Sequence, residues 1–355
     1  MMQLGEIIKG IQPVEQQWIQ KARQRTAQLV MPTRALGRLH EISERLCGIQ
    51  QTLEPAIRQK AILVMAGDHG VVEEGVSAYP QEVTPAMVRT FLAGGAGINA
   101  ISRQVGADVW VVDMGIIADV DASGLKGTDH LLVDKVGNGT ANFARGPAMS
   151  RRDAQKALRV GFVQASKLIE RGANILGTGD MGIGNTTPSA AVGTVLTDAS
   201  LAEMVGRGTG VDDAGLERKR AIVRRGIDIN QPDPQDGMDV LAKVGGFEIG
   251  GIAGCILAGA FHRCAVVIDG FISTAGALIA NALCPTVKDY LFAGHCSEES
   301  GHRLMLKHLG LDPILDLGMR LGEGTGAALA IGVIESAVRV FKEVLTFDEA
   351  GVANK

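Results

Sequence analysis

Residues 61–66, AILVMA, form a run with no polar position and no alternation. A strand with one wet face alternates; a strand covered on both faces is apolar throughout, which is the habit of parallel sheets. Similar runs, two of them interrupted by one polar residue (Asn174, Asp316), recur at 109–112, 173–176, 265–268 and 314–317, with weaker ones at 131–133 and 290–293. Helical patterns lie between them, as at 153–170 and 276–283. Strand and helix in alternation predict an α/β fold with a mainly parallel sheet flanked by helices. Such sheets bind ligands outside the carboxyl ends of their strands, so the loops after these runs are where function is sought.

The two ends of the chain read differently. Ile7, Ile8, Ile11, Val14, Trp18 and Ile19 give an interrupted apolar face, and Pro13 divides it into two short helices. Residues 34–46 predict another amphipathic helix. Past Gly326, the residues Ala327, Ile331, Ile334, Val338 and Phe341 mark one buried helix face. No ligand cluster precedes residue 60, so the first segment reads as a packing or oligomerisation arm.

A net charge of −4 and 4% aromatic residues give no electrostatic or stacking case for nucleic acid. The five cysteines, Cys47, Cys255, Cys264, Cys284 and Cys296, include no CxxC pair and read as reduced thiols. The N-terminus lacks a secretory pattern, and the longest apolar stretch, 250–260, is too short to span a bilayer. A soluble cytoplasmic protein is expected. Glycine is the outlier: 47 residues, roughly 13% against a usual ~7%, gathered at the ends of the apolar runs.

Four of the loops at those ends carry an acid beside glycine: 67–70 (GDHG), 177–188 (GTGDMGIGNTTP), 269–271 (DGF) and 322–326 (GEGTG). In 177–188, glycine-rich backbone runs into an apparent helix start, with Thr187 as N-cap and Pro188 as the first helical residue. Free amides and the helix dipole suit phosphate there; a capped tight turn is the other reading. Neither a Walker A sequence nor a GxGxxG fingerprint is present. Asp68 and His69 fit metal ligands, a catalytic dyad or a salt-bridged turn. His295 and His302 lack metal-ligand spacing, so no metal site is expected; no GxSxG elbow exists, so Ser-His-Asp hydrolysis is not expected either. Tyr79-Pro80 offers a flat ring on a kinked turn or a core tyrosine. Lys219 could reach a phosphate or lie on a solvated helix face, and Arg320 could serve phosphate or pair with a neighbouring acid. Glu323, between Gly322 and Gly324, reads as a general base or as an ordinary turn acid.

Together the segments GDMGIGNTTPSAA, INQPDPQDG with KVGGFE, DGFISTAGAL and MRLGEGTGAALA bear a specific resemblance. In order and spacing, from about Gly67 to Phe341, the chain resembles the nicotinate-nucleotide:dimethylbenzimidazole phosphoribosyltransferase family. The resemblance implies a Rossmann-like sheet with a small helical domain built from both chain ends: residues 1–35 and 327–355 around a main domain at 36–326. It implies a homodimer acting on small molecules, with no cofactor. It implies transfer of the phosphoribosyl group of nicotinate mononucleotide to a benzimidazole with inversion at the anomeric carbon, and Glu323 as the base that removes the ring N–H proton.

Carried over residue by residue, Gly182, Gly184, Asn185, Thr186, Thr187, Lys219 and Arg320 bind phosphate and ribose. Asp180 either stabilises positive charge on the ribose or assists proton removal. Tyr79, Met87, Met181 and Leu321 line the base pocket, the first two bulkier and less polar than the residues associated with those positions in some relatives. Two other classes remain in view: a non-catalytic nucleotide-binding regulator, and a metal-assisted phosphohydrolase built on Asp68, His69 and Asp269.

Overall fold

Each of the seven apolar runs falls wholly or partly on a strand, and each strand runs parallel to its neighbours. The computed structural model describes residues 3–353 except 209. The strands are β1 (Gln59–Gly67), β2 (Ala107–Gly115), β3 (Leu131–Val133), β4 (Ala173–Met181), β5 (Ala265–Ile268), β6 (Leu291–His295) and β7 (Pro313–Leu315). Their order is β3-β2-β1-β4-β5-β6-β7. The chain winds outward one way from β1 and the other way from β4. The loops after these two strands therefore diverge, and a crevice opens between them.

Two strand boundaries differ from expectation. β4 runs on through Gly177, Gly179 and Asp180 to Met181, so nearly half of the anticipated glycine loop is strand. The glycines there serve close approach. A Cβ on Gly177 would stand 2.4 Å from Ile62 Cδ1, and one on Gly179 would stand 2.6 Å from the Glu323 carbonyl oxygen. β7 stops at Leu315, and Leu317 is 61% exposed, so the last apolar run is only partly strand. The chain then returns over the sheet toward β4.

The helix Arg151–Glu170 crosses Phe247–Phe261 at backbone contact. A Cβ on Gly161 would lie 1.9 Å from the Gly251 carbonyl oxygen, and one on Gly254 2.0 Å from that of Leu158. No side chain fits between these helices. At the chain ends, Leu4–Gly10 and Gln16–Thr26 flank Pro13, as the sequence suggested. The helix Arg38–Gln50 packs against both Gln16–Thr26 and the long C-terminal helix Thr325–Glu343.

The polar, glycine-rich connection after β3 is strapped to the body. The Thr140 N–H donates to the Asp68 carbonyl at 3.0 Å, and the Gly70 N–H donates back to Thr140 at 3.0 Å. Further along, the Ala148 N–H donates to the Lys243 carbonyl at 3.0 Å. All five cysteines are free and buried. Among the described residues no helix is long and apolar enough to cross a membrane.

Candidate active site

Glu323 stands where strand geometry would not put it. Eight residues past the end of β7, the chain has come back over β4, and its backbone touches Gly179. Gly322, Glu323 and Gly324 all adopt left-handed φ angles, +85°, +62° and +90°. Only glycine takes that region freely, so Glu323 is held there by its surroundings, at a cost of about 1–3 kcal/mol. Its side chain is buried, and Oε2 accepts the Ile98 N–H at 3.1 Å from the first turn of Gly97–Val105. A side chain on Gly97 would press on this carboxylate. Oε1 accepts no hydrogen bond from the described residues. Burial raises the carboxyl's pKa above its ordinary range; the Ile98 bond opposes the shift and the Asp269 charge adds to it.

Asp269, the residue after β5, frames that turn. Its Oδ2 accepts the Gly324 N–H at 3.0 Å, and its Oδ1 accepts those of Gly326 (2.7 Å) and Ala327 (3.0 Å). Burial raises its pKa, against the pull of His295 and these three bonds. His295 Nε2 stands 3.6 Å from Oδ1. The His295 ring also lies so close to Gly326 that any side chain there would overlap it.

Asp180, at the end of β4, lies beneath the turn. A Cβ on Gly322 would stand 3.2 Å from Asp180 Oδ2, an oxygen that also accepts a bond from Asn185 Nδ2 at 2.9 Å. Burial and then Asp269 push its pKa well up; the Asn185 bond opposes, while Glu248 and Glu323 add to the rise. Glu248, at the start of Phe247–Phe261, faces His69, whose Nε2 comes within 3.1 Å of its Oε1. Both side chains are buried. Burial alone lowers the His69 pKa, but the Glu248 carboxylate outweighs it, with Asp68 adding, so the net shift is upward.

After β4 the chain turns at Gly182 and Gly184 (φ +86°) into the helix Thr186–Leu196. Asn185, not Thr187, holds the N-cap position, and Pro188 is the third helical residue rather than the first. The Thr187 N–H closes onto the Gly184 carbonyl at 2.9 Å, which starts the helix early. Proline is tolerated at the third position because that amide would have no partner within the helix. The Ile183, Asn185 and Thr187 amides are spent on Thr84 Oγ1, Gly182 and Gly184, so the loop is a less open anion nest than its composition suggests.

The positive charge comes instead from Lys219, on Asp213–Asn230. It is buried, and its Nζ donates to Thr186 Oγ1 at 2.6 Å. Burial lowers its pKa to about 8, with Glu299 opposing. Glu299, which sequence reasoning missed, follows β6 as another acid in a carboxyl-end loop, and that rule could have found it. Burial raises its pKa, against Lys219, the Gly208 N–H and Arg320. Lys219, Thr186, Glu299 and the exposed Arg320 thus form one polar group.

The four expected base-pocket residues are dispersed by exposure. Met87 and Met181 are half-buried. Met87 lies one turn beyond Thr84, whose hydroxyl accepts the Ile183 N–H at 3.1 Å. Leu321 is 59% exposed and covers Gly97 beside Glu323. Tyr79 is 54% exposed on the loop after β1, so it is not a core tyrosine.

Asp68, His69 and Asp269 do not gather as ligands. Asp68 Oδ2 accepts the Ile117 N–H at 2.8 Å, His69 faces Glu248, and Asp269 holds the Glu323 turn. His302 lies between the Ser297 N–H, donating to Nδ1 at 2.8 Å, and Thr274 Oγ1, 2.9 Å from Nε2. Burial and then the neighbouring His295 lower its pKa to about 3.

Known proteins share this architecture and sequence. A phosphoribosyltransferase family model, DBI_PRT, matches residues 11–352. The nicotinate-nucleotide–dimethylbenzimidazole phosphoribosyltransferase of Geotalea uraniireducens (strain Rf4) is 52% identical over 350 residues, spanning 99% of this chain and 98% of that protein. The protein of the same name from Geobacter sulfurreducens is 51% identical over 353 residues, 99% of each chain. The crystal structure of CobT from Thermus thermophilus superposes with a TM-score of 0.90 at 46% identity, covering 96% of this chain and all of that one. The chain is therefore a pentosyltransferase and belongs to the nicotinate-nucleotide–dimethylbenzimidazole phosphoribosyltransferase family.

Proposed function

We propose that the enzyme transfers the phosphoribosyl group of nicotinate mononucleotide to dimethylbenzimidazole, yielding α-ribazole 5′-phosphate and nicotinate. One benzimidazole nitrogen forms the bond to the anomeric carbon as the bond to the pyridinium nitrogen breaks, with inversion there. The electron pair of the breaking bond returns to the departing nicotinate ring. The proton on the second benzimidazole nitrogen passes to Glu323. The observation that carries this reading is the state of that carboxylate: buried, anchored at Oε2 by the Ile98 N–H, with Oε1 free of bonds to the described residues. Burial raises its pKa above the ordinary carboxylate range, which makes it a stronger base than a solvated glutamate.

In this reading the Lys219 ammonium and Thr186 hydroxyl hold the phosphate, with Arg320 at the rim and Gly182, Gly184, Asn185 and Thr187 shaping the floor. Asp180 faces the ribose. Tyr79, Met87, Met181 and Leu321 sandwich the flat base. The cationic pyridinium is already a good leaving group, so the reaction needs no metal.

Incubation with nicotinate mononucleotide and dimethylbenzimidazole in EDTA is expected to release nicotinate at the rate seen without chelator. Absence of turnover with nucleotide binding intact would instead support a regulatory binder, and loss in EDTA alone would restore a metal role. Lys219→Met removes the phosphate's cation; it is expected to raise KM for the nucleotide by ~10–100-fold, as loss of a hydrogen bond to a charged group does, with a smaller effect on kcat. An unchanged KM would remove Lys219 from the phosphate site.

A further inference from the structure

The helix Thr325–Glu343 begins without a cap of its own. Its N-cap residue is Gly324, in left-handed conformation and with no side chain to accept the first amides. Exposed amides at a helix start need acceptors, and these are usually supplied by the residue at the cap position. Here they come from the sheet, from Asp269 at the end of β5. Its two oxygens take three amides, at 2.7–3.0 Å, from Gly324, Gly326 and Ala327. Gly324 follows Glu323 directly, so this one carboxylate spans the residue after the base and the first turn of the helix behind it.

We propose that Asp269 is a positioning residue for the reaction: by holding the Gly324, Gly326 and Ala327 amides it fixes the left-handed turn that aims Glu323 into the crevice. The proposal rests on the reading of Glu323 as the base. Both Asp269 oxygens are already taken up by backbone amides, so its effect reaches the reaction through the turn. Its occupied oxygens also account for an acid that, on sequence alone, could have been a metal ligand. His295 closes the other side: its ring packs on Gly326 and stands 3.6 Å from Asp269, so the helix start is held between β5 and β6. Left-handed backbone at a non-glycine residue persists only where the surroundings over-determine it, and this three-amide clamp supplies that constraint.

Charge provides a second handle. The titratable groups facing the Glu323 turn are Asp269 from β5 and Asp180 from β4, with His295 behind the first and Glu248 beyond the second. The helix Gly97–Val105 presents an amide, and the first turn of Thr325–Glu343 carries no acid.

Asp269→Asn keeps the shape but puts an amide where one oxygen accepted N–H groups. A displacement of the reacting group by about 1 Å costs on the order of 10²-fold in rate. Asp269→Asn is therefore expected to lower kcat by ~10–100-fold with KM for nicotinate mononucleotide within about threefold. The acid limb of the kcat profile should move to lower pH, because a like charge beside Glu323 is gone. Added to Glu323→Gln, the substitution should cost at most about twofold more. Parental kcat and profile, or a kcat loss that multiplies fully with Glu323→Gln and leaves the acid limb in place, would overturn the proposal.

Should Asp269→Asn not fold, Asp269→Glu keeps the charge on a longer arm. It should lower kcat with the acid limb unmoved, and parental kcat would again refute the proposal. Failure of the underlying reading shows separately, as near-parental turnover of Glu323→Gln alone, and the proposal then falls with it.

Discussion

Glu323→Gln should turn over ~10²–10⁴-fold more slowly than the parent, the range attributed to a well-placed general base, while binding nicotinate mononucleotide within a few-fold of it. Glutamine keeps an oxygen for the Ile98 amide, so the anchor at Oε2 and the shape of the pocket survive. What it cannot do is take a proton. In the proposed reaction the attacking ring carries its N–H into the transition state, and that hydrogen must leave as positive charge develops. Because the phosphate is proposed to rest on Lys219 and Thr186, the loss should fall on kcat and spare nucleotide binding. Single-turnover kinetics with binding measured in parallel separate the two. Activity within a few-fold of parent would mean that solvent or another group takes the proton.

Gly254→Ala should be among the most destabilising single-methyl additions in the chain. The new Cβ would sit 2.0 Å from the Leu158 carbonyl oxygen and 2.8 Å from the Phe162 nitrogen, both backbone atoms that no rotamer change can move. The two helices must separate, and Phe247–Phe261 is buried along nearly its whole length, so the strain passes to the sheet beneath. Overpacking of this kind costs ~3 kcal/mol or more, a fall in Tm on the order of 5 °C. Gly146→Ala is the matched control, since its Cβ would meet nothing within 4 Å. Equal melting temperatures for the two variants would show that the helices part freely.

The central strands were legible because burial on both faces removes nearly every polar position, a signal that survives without knowledge of neighbours; the edge strands β3 and β7 are only partly buried, and short apolar runs alone marked them. The acids at or just past the carboxyl ends of β1, β4 and β5 were legible for a related reason: in a parallel sheet all carboxyl ends lie on one side. The errors have a common cause. Gly177 and Gly179 look like loop breakers locally, yet they are strand residues whose missing side chains admit Ile62 and the Glu323 turn. Asp269 caps a helix that starts more than fifty residues later, and the Glu248–His69 contact joins segments still further apart. Neither relation has a local signature. At Thr187 and Pro188 the local rule was sound but slipped, because the Gly184 turn closed first. Tyr79 was ambiguous for want of any periodic context, and the fold leaves it open to solvent.

The reversal of strand order between β1 and β4 has a thermodynamic consequence. In the proposed site, one wall, with Met87, derives from chain preceding β4, and the opposing wall, with Lys219, Leu321 and Glu323, derives from chain following it. Above the sheet, a bond such as that from the Ile183 amide to Thr84 joins the two sides. A molecule that touches both walls acts as a removable crosslink between two halves of the polypeptide. Occupancy and resistance to unfolding then become a single linked quantity, growing with the logarithm of substrate concentration once sites are filled. The enzyme is most robust when it has work to do.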